Sequence, residues 1–151
     1  MSALELKIPP VALVLLAGAA MWLLSSLTPS VTLPVPYRHV AAIAFAGMIV
    51  ALLGLIAFRR ARTTVNPTTP HAASSLVGTG VYRFSRNPMY LGFLLALTGW
   101  TVFLANGLSA ILVPGFVMYM NRFQIGPEER ALSGIFGEQF TSYTHRVRRW
   151  V

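Results

Sequence analysis

Charged residues are unevenly spread along this chain, which contains three long uncharged runs bounded by short basic stretches. No charge stands between Lys7 and Arg38, and the core VALVLLAGAAMWLLSSL (Val11 to Leu27) predicts a membrane helix over about 9–27, because a span takes about 20 apolar residues. Thr28 to Pro36, with three prolines, predicts a connecting loop. The next run ends at Arg59, Arg60 and Arg62 and predicts a helix over about 38–58, with Gly47 and Gly54 as points of close helix approach. From Asn87 to Asn121 there are 35 residues without a charge. One straight helix of that length would measure about 50 Å against a hydrocarbon core of about 30 Å, so the run must turn. Asn106-Gly107 is the natural place, giving spans over 88–105 and 108–123 joined as a tight hairpin. Pro114-Gly115 predicts a kink or local break in the last span. Beyond it, GPEERALSGIFGEQFTSYTHRV predicts an amphipathic helix over 127–147. Pro127 suits its first turn, Glu128 and Glu129 complement its dipole, and Leu132, Phe136, Phe140, Tyr143 and Val147 recur at spacings of three and four.

Composition strengthens the membrane reading. Of 151 residues 55% are hydrophobic and 11% charged, where a soluble domain has about a quarter charged. The expected fold is therefore an all-α, polytopic integral membrane protein of about four transmembrane helices with a C-terminal cytoplasmic helix, a single domain over 1–151. The net charge of +8 does not point to nucleic acid, because the basic residues lie between apolar runs, where they set topology. Arg59, Arg60, Arg62, Arg83 and Arg86 lie between spans two and three, and Arg122, Arg130, Arg146, Arg148 and Arg149 follow span four. Only Arg38 falls in the other two loops, so both termini and the loop over 63–87 are expected in the cytoplasm, in a bacterial inner membrane. A cleaved signal peptide is the competing reading of the first run, but no clear A-x-A-like site follows it. With no cysteine there is no disulfide framework and no thiolate nucleophile, and three scattered histidines (His39, His71, His145) do not suggest a metal centre.

The candidate chemistry begins at YRFSRNPMYLG (Tyr82 to Gly92). Asn87 and Pro88 have the residue types that start a helix, and tyrosines and arginines belong at a membrane interface. The same helix start leaves backbone N–H groups that suit a carboxylate or phosphate. Glu128 and Glu129 have a plain role in the dipole of a first helical turn, yet three of the four acidic residues follow residue 127. Anionic and cationic groups thus converge on one membrane side. The RVRR segment (Arg146 to Arg149) reads foremost as a contact for anionic lipid headgroups. GTGVY (Gly78 to Tyr82) lacks a full G-x-G-x-x-G and a surrounding βαβ unit, so its glycines are read as turn residues before Tyr82.

Taken together, LVGTGVYRFSRNPMYLG and, some forty residues later, EERALSGIFGEQFTSY followed by RVRRW resemble the signature of the isoprenylcysteine carboxyl methyltransferase and phospholipid methyltransferase superfamily. The resemblance covers roughly 65–150 and lies in the combination and order of the two halves. It implies an integral membrane enzyme that uses S-adenosyl-L-methionine (SAM). The implied cofactor contacts are Ser74, Ser75, Leu76, Val77 and Tyr82 in the loop, Asn87, Pro88, Met89 and Tyr90 at the helix start, and Glu128 as the acidic contact. Arg86, Arg122 and Arg146 are candidates for orienting an anionic acceptor. Two positions depart from the pattern: many members have His where Asn87 stands, and Gln124 stands where the prenylcysteine enzymes have an arginine associated with substrate.

The expected activity is methyl transfer from SAM to a lipophilic or amphiphilic acceptor at the cytoplasmic interface, with membrane lipids as partners. Alignment and desolvation would supply most of the catalysis, without a protein nucleophile. Two other readings compete: an NADPH-dependent, sterol-reductase-like membrane enzyme, and a non-enzymatic small membrane scaffold.

Overall fold

The computed structural model describes residues 5–29, 35–61 and 70–151, and every regular element among them is helical. Arg62, the loop residues 63–69 and part of the first connecting loop lie outside the described residues. Helix α1 runs Pro10–Leu27, α2 Tyr37–Arg60, α3 Pro88–Leu104, α4 Gly107–Ala110 and α5 Leu112–Tyr119; a π-helical stretch Met120–Ile125 leads into α6 Gly126–Phe136, and α7 is Glu138–Arg146. Two short 3-10 turns, Pro70–Ala72 and Gly80–Arg83, lie between α2 and α3. Helices α1 and α2 are long and apolar enough to cross a membrane, and only 11% of the most apolar stretch of each is buried. Neither is therefore packed like the core helix of a soluble protein. Their outward faces carry large apolar side chains such as Leu15, Trp22, Phe45 and Leu52, each at least half exposed, which is what a helix facing lipid presents.

Small residues set the packing of α2 on α3. A Cβ on Gly92 would lie 2.5 Å from the Gly47 carbonyl oxygen and 2.7 Å from the Ala51 Cβ, and one on Gly54 would lie 2.7 Å from the Met89 side chain. Gly99 lies less tightly, since a Cβ there would meet Ala44 and Val40 at 3.5 Å, an ordinary van der Waals distance. Numbers fall along α3 as they rise along α2, so the pair is antiparallel, with glycines seven apart on each helix letting the backbones meet. On another side of α3, the Trp100 indole donates to the Gly18 carbonyl of α1 at 3.1 Å. Met21, Tyr90, Leu97, Phe116, Met120 and Ile125 close the core between α1, α3, α5 and the π-helical stretch.

The turn read at Asn106-Gly107 is present. Ala105 takes a left-handed conformation and ends α3, and Asn106, 3% exposed, caps α4 by accepting from the Ser109 N–H at 2.9 Å. The asparagine also donates to Thr28 at 2.8 Å, tying the hairpin to the end of α1. The stretch read as one span over 108–123 is divided. It breaks at Ile111, three residues before Pro114, because a proline ring excludes regular helix in the preceding turn. It then widens into the π-helical stretch, whose Phe123 carbonyl accepts the Leu6 N–H at 3.0 Å.

The helix read over 127–147 is also two helices. Gly137, at φ +50°, ends α6 in a conformation that a residue with a Cβ rarely adopts. The apolar stripe survives the break, because Phe140, Tyr143 and Val147 pack against Leu76, Leu132 and Phe136.

Candidate functional site

A cavity lies where α2 ends, α3 begins and α6 and α7 cross them. Phe58 of α2, Ser75, Leu76 and Val77 of the loop, Tyr82, Arg86 and Asn87 before α3, Glu128, Glu129 and Leu132 of α6, and Phe140 and Tyr143 of α7 line it. Gly80, at φ +61°, begins the short turn that brings Tyr82 to this wall. The turn is fixed from two sides: the Tyr143 hydroxyl donates to the Tyr82 carbonyl at 2.7 Å, and the Phe58 and Tyr82 rings meet edge to face at 5.3 Å. Burial pushes both phenols up, Tyr143 to about 12 and Tyr82 well beyond the ordinary range, so both are neutral hydroxyls at physiological pH.

Glu128 is the acidic centre of the cavity. Its Oε1 accepts from the Tyr90 hydroxyl at 2.6 Å and from the Gln124 Nε2 at 2.5 Å. Loss of hydration pushes its carboxyl up to about 7 and Glu129 adds to the rise, while the two hydrogen bonds work against it. Its neighbour Glu129 is already paired, with Arg86 at 3.3 Å and with Arg149 through two bonds at 3.2 and 2.5 Å. The Arg86 Nε is buried with no hydrogen-bond partner among the described residues.

The predicted site residues divide into several groups. Ser75, Leu76, Val77, Tyr82, Arg86, Asn87 and Glu128 share the cavity, and Tyr90 reaches it through Glu128. Ser74 is exposed and is not among the lining residues. Pro88 and Met89 pack on Gly54 of α2, whose Cβ position lies 3.3 Å from the Met89 nitrogen; the helix start faces its neighbour helix there. Arg122 is exposed, with its guanidinium 5.9 Å from the Phe123 ring centre. Arg146 lines a separate groove with Gly78, Thr79, Arg83 and Gln139.

Asn87 stands at the N-cap position of α3, yet its side chain makes no capping bond. It donates instead to the Arg149 carbonyl at 3.0 Å. This bond belongs to a C-terminal strap that the sequence reading did not foresee. The chain leaves α7 extended at Val147, and the Arg148 carbonyl accepts the Arg86 N–H at 3.0 Å. The Trp150 indole donates to Asn121 at 3.1 Å. Arg149, read with its neighbours as a lipid contact, is held by Glu129; Arg148 is exposed. Phe58, Leu132, Phe140, Tyr143 and Glu129 also escaped the sequence reading as site residues. The apolar stripe at spacings of three and four was the signal for Leu132, Phe140 and Tyr143, but a stripe reports burial equally well against protein or ligand.

The family model for phospholipid methyltransferase matches residues 37–139, which includes α2, α3 and every helical element of the cavity except the rest of α7. Protein-S-isoprenylcysteine O-methyltransferase B of Arabidopsis thaliana is 33% identical over 108 residues, covering 67% of this chain and 55% of that protein. The protein-S-isoprenylcysteine O-methyltransferase of Rattus norvegicus is 26% identical over 117 residues, 73% of this chain and 41% of the rat protein. An uncharacterized protein of Haemophilus influenzae is 43% identical over 63 residues, all of its own length and 42% of this chain. The chain thus spans about half the length of the named methyltransferases it matches. No solved structure matches. With well over half of its length matched by the family model, and with the order of loop, helix start and paired glutamates that the match covers, the chain belongs to the phospholipid methyltransferase family, within the superfamily that includes the isoprenylcysteine methyltransferases.

Proposed function

We propose that this protein transfers a methyl group from SAM to a lipophilic acceptor that reaches the cavity from the membrane. The observation that carries the reading is the pairing of opposite charges in one cavity: Glu128, with a carboxyl poised near neutrality, and Arg86, with an unpaired buried Nε. SAM offers the complement, a carboxylate for the Arg86 guanidinium, an ammonium and ribose hydroxyls for Glu128, and an aromatic base for the Tyr82 and Phe58 faces. Arg86 replaces the helix N–H groups as the preferred carboxylate partner, because the start of α3 is packed on Gly54. When bound, SAM supplies a methyl group already activated by its positively charged sulfur. The chain's own work is then to hold, orient and exclude water. Leu76, Val77, Leu132 and Phe140 give the cavity the apolar walls for that.

The topology we propose has α1, α2, α3 and the divided stretch from α4 to the π-helical turn crossing the membrane, with the cavity on the cytoplasmic side, where the arginines concentrate. Calorimetry of the purified full chain with SAM and with NADPH tests the cofactor, and labelled SAM mixed with membrane extracts tests the transfer. Binding of SAM and label appearing in an extractable lipid are the expected results. Binding of NADPH alone would overturn the reading.

A further inference from the structure

Beside the cavity, on the opposite side of the turn Gly80–Arg83, lies an open groove between that turn and the end of α2. Tyr82 faces the cavity, whereas Val81 and Arg83 line the groove. Its floor is apolar, with Leu53 and Ile56 each more than two-fifths exposed. Its rim carries Arg60 and Arg83, both exposed. Neither arginine makes an ion pair or a side-chain hydrogen bond among the described residues, and no carboxylate lines the groove. Phe84, 77% exposed, stands next to Arg83.

We propose that this groove binds an anionic phospholipid of the bilayer. The alignment of α2 argues for a lipid over a soluble anion. Ile49, Leu53 and Ile56, exposed and apolar, form one stripe that leads to Arg60 at spacings of four, three and four. From Ile49 to Arg60 the stripe rises about 16 Å, a track for an acyl chain that ends in two cations at headgroup height. A phosphodiester at the rim would answer both guanidiniums, and juxtamembrane arginines gain from such contacts. The proposal rests on α2 crossing the membrane but not on methyl transfer.

Native mass spectrometry of the full chain, released from detergent carrying equal amounts of phosphatidylglycerol and phosphatidylcholine, tests it without SAM. The wild-type protein is expected to retain phosphatidylglycerol in preference. The double variant Arg60→Gln/Arg83→Gln should lose that preference by about fivefold per arginine, and Arg60→Lys/Arg83→Lys should keep most of it, separating charge from folding. Arg59→Gln, one residue away and outside the groove lining, should change nothing. Equal retention of both lipids by the wild type would overturn the proposal, as would an Arg59→Gln effect as large as the double variant's. Displacement of the lipid by millimolar glycerol phosphate would also overturn it, by showing a site for the free anion. Any of these failures leaves the SAM reading untouched, because SAM binding is measured separately.

Discussion

A carboxylate that leaves water and keeps two neutral donors is poorly stabilised as an anion, and Glu128 is in that position, pushed from 4.5 to about 7. A rise of that size corresponds to about 3 kcal/mol against the charged form. Because the folded value lies above the unfolded one, the stability linked to Glu128 is complete below about 4.5 and is lost as pH rises through about 7. Without ligand, Glu128→Gln is therefore expected to melt at a higher temperature than the wild type, with the gap widening from pH 5 to pH 8. SAM binding should move the opposite way. The anion is the form that answers an ammonium, so wild-type affinity should climb as pH passes 7, while Glu128→Gln binds about 10- to 100-fold less tightly with a flat profile. Tyr90→Phe removes a hydrogen bond that favours the anion, so the midpoint should shift to higher pH; a midpoint that stays put or falls would exclude this role for Tyr90. The sequence singles out both residues, but separately. Their hydrogen bond was not legible there, since 38 positions separate them and only the fold of α6 against α3 brings them together.

At the scale of elements, legibility followed how local the cause was. The start of α3 at Pro88 and the turn at Asn106 are fixed by residues acting on their own backbone, and both could be read. The end of α6 at Gly137 is local too, but a lone glycine inside an amphipathic pattern is tolerated in many helices, so the pattern hid the break. The π-helical stretch has no such marker; its Phe123 carbonyl finds its donor in Leu6, far away in the chain. The glycine contacts between α2 and α3 were half legible: Gly47 and Gly54 stood out, whereas Gly92 and Gly99 passed as ordinary members of the apolar run. Their weight can be measured. Gly92→Ala places a Cβ 2.5 Å from the Gly47 carbonyl oxygen and 2.9 Å from the Ala51 nitrogen, both backbone atoms that cannot swing aside. We expect a loss of about 1–3 kcal/mol, read as a lower melting temperature in detergent. Gly18→Ala in α1 meets nothing within 4 Å and should be neutral or stabilising by about 0.5–1 kcal/mol. Equal effects at the two positions would mean that the α2–α3 approach is looser than the contacts imply.

At the scale of the whole molecule, the ends of the chain close the site that its middle builds. Glu5 pairs with Arg130 at 2.9 Å, and Leu6 holds the π-helical carbonyl, so the first described residues brace the segment leading to Glu128. The C-terminal strap does more, because it touches three elements at once: the approach to α3 through Arg86 and Asn87, α6 through Glu129, and the π-helical stretch through Asn121. These bonds join positions 20 to 62 residues apart. No local pattern in RVRRW separates them from a basic tail lying on lipid. Deleting residues 148–151 removes the acceptors for the Arg86 N–H and the Asn87 amide, together with the indole donor and the Arg149 guanidinium. At about 1 kcal/mol for each of the three neutral bonds, the deletion should cost about 3 kcal/mol of stability. Its effect on function should be larger than that of a distant lesion of equal size, because Arg86 and Glu129 both lose their orientation. Hydrogen exchange should therefore rise at the Arg86 amide and through the start of α3 while α1 keeps its protection, and SAM affinity should fall at least tenfold. Trp150→Phe, which loses one bond and keeps the ring, should show a lesser version of both effects. If exchange rose evenly over all helices, or if SAM bound the truncated chain as tightly as the full one, the strap would be a general clamp and not a wall of the site.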